Sequence, residues 1–122
     1  MNLFEKKTFE MHSGDMEYFK IKCDALTDED IETLAYIIAR RIPFYDVFGV
    51  PTGGVRIANA LEKYKDKEGY GYFLIVDDVL TTGNSMEDAK QVCYDKPEIT
   101  GVVLFARGEC PDWVFPVFQT IF

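Results

Sequence analysis

The chain has 122 residues, 48% of them apolar, which is enough for one modest core and a single domain over 1–122, without room for a second catalytic domain. Its formal net charge of −8 excludes nucleic acid and anionic membranes as partners, because both demand clustered cations that displace counterions from phosphates. Cys23, Cys93 and Cys110 are too few and too widely spaced for a disulfide framework or a zinc site, so a reducing cytoplasm is the expected location.

The start, Met1-Asn2-Leu3-Phe4-Glu5, lacks the basic stretch and apolar run of a secretory leader, and no apolar segment approaches the roughly 18 residues of a membrane span. Residues 7–12 and 18–23 are strand-like runs around the turn tripeptide Ser13-Gly14-Asp15, which predicts an antiparallel hairpin. The strongest helix signal covers 27–41. Thr27 can cap it, Asp28, Glu29 and Asp30 sit at its positive end, Arg40 and Arg41 sit at its negative end, and Ile31, Leu34, Ala35 and Ile38 form its apolar stripe. Pro43 stops this helix, and 45–50 reads as a strand that runs into Pro51-Thr52-Gly53-Gly54. A second helix is predicted over 55–65 and is broken by Gly69. The apolar run 72–76 has strand length, a third helix covers 85–93 before Pro97, and 102–105 is a further buried strand. The end, 114–122, is a strand or an extended tail made irregular by Pro111 and Pro116.

Strand, loop and helix repeated twice and closed by a third strand is the pattern of an α/β fold, a small parallel sheet with right-handed crossovers and helices on both faces. Such sheets bind ligands at the carboxyl ends of their strands, where the loops after Val50 and Val76 face one crevice. Eighteen aromatics, counting ten Phe, seven Tyr and one Trp, exceed what so small a core hides, so a pocket or a homodimer interface is expected to use some of them.

The segment Asp77-Asp78-Val79-Leu80-Thr81-Thr82-Gly83-Asn84-Ser85 sets two carboxylates at a strand end and hydroxyls with a glycine at a helix start. Unpaired amides and the positive dipole end of a helix, with the Thr81, Thr82 and Ser85 hydroxyls, can hold a phosphate monoester without lysine. Gly83 lets the backbone turn. Asp77 and Asp78 suit vicinal ribose hydroxyls, directly or through a magnesium ion bridging hydroxyls and pyrophosphate. The plain alternative is a capped helix behind two solvated aspartates.

Four apolar residues followed by Asp-Asp-Val-x-Thr-Thr-Gly-x-Ser resemble the phosphoribosyl pyrophosphate loop of type I phosphoribosyltransferases. That resemblance implies binding of 5-phosphoribosyl 1-pyrophosphate with Mg2+, held mainly through the ligand, and of a nucleobase or nucleoside monophosphate. Asp77 and Asp78 would be the catalytic pair, and Val79, Leu80, Thr81, Thr82, Gly83, Asn84 and Ser85 the 5-phosphate loop. Val50-Pro51-Thr52-Gly53-Gly54-Val55 is similar to the pyrophosphate loop of the same family, often built with a cis peptide before the glycine. Thr52 stands where the family usually has Arg or Lys, so Pro51, Thr52, Gly53 and Gly54 are one cation short, with Arg56 the expected substitute.

In the N-terminal region, Phe9-Glu10-Met11-His12-Ser13-Gly14 and Tyr18-Phe19-Lys20-Ile21 look like the start of orotate phosphoribosyltransferases, where a strand-turn-strand unit forms a hood over the base. The resemblance implies base contacts from His12, Phe19 and Lys20, although His12 occupies a position where that branch carries lysine; His12 is equally readable as a solvent-facing residue beside a turn. Trp113 either stacks on a base or seals the core or a dimer contact, and Cys110 reads as a packing residue. The family's mobile lid between the two loops is nearly absent here, and Lys63, Lys65 and Lys67 read as a solvated helix end. Two functions follow: a minimal phosphoribosyltransferase acting on an orotate-like or purine base, or a binding module on the same site with little or no turnover. A purely structural domain would leave the acidic pair and the Thr-Thr-Gly loop unexplained.

Overall fold

The computed structural model describes Cys23 and residues 25–120; the expected hairpin, with His12, Phe19 and Lys20, lies outside them. Its elements in chain order are α1 (Asp28–Arg41), β1 (Phe44–Gly49), α2 (Gly54–Leu61) running into a 3-10 turn (Glu62–Tyr64), β2 (Tyr72–Leu80), α3 (Asn84–Val92), β3 (Ile99–Arg107) and β4 (Val114–Thr120). The four strands form one sheet in the order β1-β2-β3-β4, every neighbouring pair parallel.

The first helix begins where a reciprocal cap closes. The Asp30 amide donates to Thr27 Oγ1 at 3.1 Å, while the Thr27 amide donates to Asp30 Oδ2 at 2.9 Å, so two otherwise orphaned amides are satisfied together. Ile31, Leu34, Ala35 and Ile38 are buried, as their spacing requires, and Pro43 follows the C-cap residue Ile42.

Alternation along the central strands sends side chains to two cores. Leu74, Val76, Val102 and Leu104 pack with Ile57 and Leu61 of α2 and with the stripe of α1. Phe73, Ile75 and Val103 pack with Met86 and Ala89 of α3. Helices therefore cover both faces, the arrangement expected of a parallel sheet.

Several boundaries differ from the sequence expectation, the third strand running over 99–107 rather than 102–105. The second strand continues past Val76 to Leu80, because β3 pairs with it at Asp77↔Val103, Val79↔Phe105 and Leu80↔Ala106. Asp77 and Asp78 thus lie within the strand, only 7% and 6% exposed. The second helix ends at Leu61 rather than near Lys65: its last turn tightens into the 3-10 segment, and the chain then returns to the sheet with the Asp66 amide on the Phe44 carbonyl at 2.8 Å. The C-terminal segment, expected as a strand or an extended tail, is a parallel strand over 114–120. Residues 108–113 carry the chain back without a helix, so that Val114 registers with Gly101.

Candidate functional site

The site forms where β1 stops and β2 does not. The last pair between them is Gly49↔Val76, closed by the Val50 amide on the Val76 carbonyl at 2.9 Å. The chain then turns through a cis Pro51–Thr52 peptide, and the Gly54 amide returns to the Val50 carbonyl at 2.8 Å as α2 starts. This turn lies directly on β2. A methyl group on Gly53 would overlap the Asp78 carboxylate, and one on Gly54 would overlap the Val76 carbonyl oxygen, so only glycine permits this approach. The two glycines therefore bring the loop at 51–54 into contact with the acidic pair.

Beyond Val76, β1 offers β2 no further partner, and the aspartates supply acceptors for the exposed backbone. Asp77 Oδ1 accepts from the Asp78 amide at 2.8 Å, and Asp78 Oδ1 accepts from the Val79 amide at 2.7 Å. These bonds fix both carboxylates at the carboxyl end of β2, where Asp78 lines the crevice. Thr52, Gly53, Arg56 and Asp78 line a cavity of about 190 Å³, floored by Ile57 and Leu104.

Past Leu80 the strand gives way to Thr81, Thr82 and Gly83. Gly83 adopts the left-handed conformation (φ 85°, ψ −4°) as the N-cap of α3, a backbone that a side chain would strain. The Asn84 amide donates to Thr82 Oγ1 at 3.3 Å, and the Glu87 amide donates to the Gly83 carbonyl at 2.9 Å. Thr81, Thr82, Asn84 and Ser85 are exposed while Met86 anchors the helix in the core. This is an accessible helix N-terminus with hydroxyls beside it, the form an anionic oxygen cluster fits. Val79 and Leu80 are instead in the sheet, their side chains packed on the two cores.

The expected substitute cation is placed by contacts that its sequence position did not reveal. Arg56 Nη2 donates to the Leu26 carbonyl at 2.8 Å and to Asp28 Oδ1 at 3.3 Å, which ties α2 to the start of α1 at the cavity rim. Leu26, Ile31 and Cys23 complete the lining from that side. No local motif signals them, since they arrive by the docking of two helices.

Trp113 is not brought to this crevice. Its ring packs on Gly101 and the α3 side of the sheet, its Nε1 donates to Glu87 Oε1 at 2.9 Å, and Lys90 Nζ sits 4.7 Å from the ring centroid. Lys63 pairs with Glu32, and Lys65 pairs with Asp46 at 3.2 Å and Glu62 at 2.8 Å. The Glu62 and Asp46 hydrogen bonds raise the Lys65 pKa, as for an ammonium with acidic partners. Burial pushes the Cys93 and Cys110 thiols up, away from the thiolate form that a nucleophile needs.

Among the described residues no group of three or more His, Cys, Asp or Glu side chains could hold a metal by itself. An ion at Asp77 and Asp78 would need further oxygens from a ligand, which is how Mg2+ commonly binds polyphosphates. A larger groove of about 340 Å³ lies at the opposite, amino end of the strands. Its lining, including Ile37, Ile42, Tyr72 and Pro116, is apolar apart from Arg41, so it lacks the convergent polar groups of the crevice. No helix among the described residues is long and apolar enough to cross a membrane.

The solved structure of a purine phosphoribosyltransferase from Pyrococcus horikoshii Ot3 is similar over 76% of this chain and 81% of that one, with a TM-score of 0.53 and 22% identity. A hypothetical protein from Neisseria gonorrhoeae with bound ppGpp is similar over 79% of this chain and 82% of its own, with a TM-score of 0.57 and 15% identity. No protein-family model and no curated protein matches the chain. At these identities the likeness is one of fold, and the fold is type I phosphoribosyltransferase-like.

Proposed function

We propose that this chain binds 5-phosphoribosyl 1-pyrophosphate with Mg2+ across the two loops and transfers the phosphoribosyl group to a ring nitrogen of a nucleobase. The observation that carries this reading is the contact of Gly53 with the Asp78 carboxylate, which joins a pyrophosphate-type loop to the acidic pair beside the α3 N-terminus. Thr81 to Ser85 hold the 5-phosphate through amides and hydroxyls, and Asp77 and Asp78 accept from the ribose hydroxyls. Thr52 and Gly53 meet the pyrophosphate with backbone amides, and Arg56 supplies a cation nearby. The base reacts as its ring-deprotonated form, its N–H proton having passed to solvent: the nitrogen forms the new bond to the anomeric carbon, the bond from that carbon to the pyrophosphate oxygen breaks, and pyrophosphate leaves with the electron pair. Mg2+, when bound, neutralises that departing charge. The purine enzyme of the same fold supports a nucleobase acceptor, orotate-like or purine.

A second reading is a nucleotide-binding regulatory module with weak or no turnover. Two observations favour it: Lys63 and Lys65, between the loops, are held by acidic partners rather than poised over the site, and a protein of this fold carries bound ppGpp. Pyrophosphate release, measured with phosphoribosyl pyrophosphate, Mg2+ and a panel of purine and pyrimidine bases, separates the two. Base-dependent release supports the transferase, and tight binding with no release for any base supports the module.

A further inference from the structure

The loop Pro51-Thr52-Gly53-Gly54 carries no cation, and Asp77 and Asp78 place two of the carboxylates of a chain of net charge −8 next to it. A pyrophosphate-bearing ligand therefore requires positive charge from outside that loop. Arg56, on the first turn of α2, lines the cavity with Thr52, Gly53 and Asp78. Its two contacts, both from Nη2, differ in kind. The bond to the Leu26 carbonyl is short, partly buried and anchored in backbone next to the α1 cap, so it fixes where the guanidinium stands. Asp28 is fully exposed, and its 3.3 Å pairing with the half-exposed Arg56 is a weak surface ion pair. What Asp28 does contribute is a negative charge that offsets the cation an incoming anion would meet. A guanidinium has five N–H donors in a flat fork, so two bonds from one nitrogen do not exhaust it.

Resting on the pyrophosphate reading of the 51–54 loop, we propose that Arg56 is the cation of the pyrophosphate subsite and Asp28 its resident counterion, displaced when pyrophosphate binds. Asp28 then limits affinity for pyrophosphate-bearing ligands and leaves monophosphates untouched, which makes the Arg56–Asp28 pair a specificity determinant supplied by two helices rather than by the loop.

Isothermal titration of Mg2+-phosphoribosyl pyrophosphate, Mg2+-pyrophosphate and ribose 5-phosphate into the parent, Asp28→Asn, Arg56→Ala and the double variant tests this, with thermal melts confirming that each variant folds. Asp28→Asn is expected to tighten both pyrophosphate ligands about threefold, an effect that shrinks with added salt. Arg56→Ala is expected to weaken both by about tenfold or more. Ribose 5-phosphate affinity should stay unchanged in every variant, and Asp28→Asn should have no effect once Arg56 is alanine. If Asp28→Asn leaves pyrophosphate affinity unchanged or lowers it, or if Arg56→Ala weakens ribose 5-phosphate equally, the inference is overturned. A parent that binds phosphoribosyl pyrophosphate with indifference to both substitutions overturns the inference alone; a parent that binds none of the three ligands overturns the functional reading with it.

Discussion

Two glycines that face carboxylate and carbonyl oxygens decide whether the crevice exists. Gly53 allows the loop to lie against Asp78, and an added methyl must either lift the loop or turn the carboxylate away. Gly53→Ala is therefore expected to destabilise the fold by about 1–3 kcal/mol, as overpacking does, and to weaken ligand binding. Thermal unfolding and calorimetry on the same variant check both, and an unchanged melting temperature with unchanged affinity would show that the two loops do not depend on each other. The acidic pair was legible in the sequence as a candidate site, but its burial was not. Two consecutive aspartates look like the end of a strand, and the pairing of Asp77, Val79 and Leu80 with β3 keeps them inside it. Trp113 was open between two roles in the sequence, since nothing local fixes which face of a sheet a residue in a return loop will reach.

The first helix was readable almost residue by residue, because caps, charges and stripe all act locally. Thr27→Ala should cost about 1 kcal/mol by opening the reciprocal cap. The Thr27 amide, followed by its hydroxyl, holds the Asp30 carboxyl below its ordinary value. Because the folded value is the lower one, this contribution is complete above the unfolded value, about pH 4, and is lost as pH falls through the folded value. Acidification should loosen the start of α1 in the parent and do so less in Asp30→Asn, which amide exchange at 28–31 can follow. The second helix was less legible. Its charged end reads as continuous helix, whereas contacts from Asp66 and Lys65 back to β1 pull the chain off the helical path after Leu61. Since Lys63 and Lys65 are already paired with Glu32, Glu62 and Asp46, replacing Lys63, Lys65 and Lys67 by alanine should leave ligand affinity unchanged and alter stability by less than about 1 kcal/mol. A clear loss of affinity would identify this turn as a rudimentary lid.

At the scale of the whole molecule, the described residues form a four-stranded parallel sheet whose carboxyl edge holds both loops and whose helices lie on both faces. Order and spacing of strands and helices made this architecture legible. The docking of α1 on α2, which sets Arg56 against Leu26 and Asp28, was not, because it depends on packing between segments about 30 residues apart. On the transferase reading, the short described stretch between α2 and β2 supplies no lid lysine to the leaving group, since Lys63 and Lys65 are held by acidic partners. Turnover should therefore suffer more than binding, with rates below the roughly 10 per second of a median enzyme. Steady-state pyrophosphate release measures this, and tens of turnovers per second would show that another group does the work of a lid.

The central claim, that the acidic pair and its flanking loops form a phosphoribosyl pyrophosphate site, is met most directly by titrating that ligand with Mg2+ into the parent and into the Asp77→Asn/Asp78→Asn variant. Asparagine keeps the oxygens that accept from the Asp78 and Val79 amides, so the variant should fold while losing the charged acceptors for the ligand. Saturable binding by the parent, absent from an equally well folded variant, is the predicted result; no binding by the parent at millimolar ligand, or equal binding by both proteins, would contradict it.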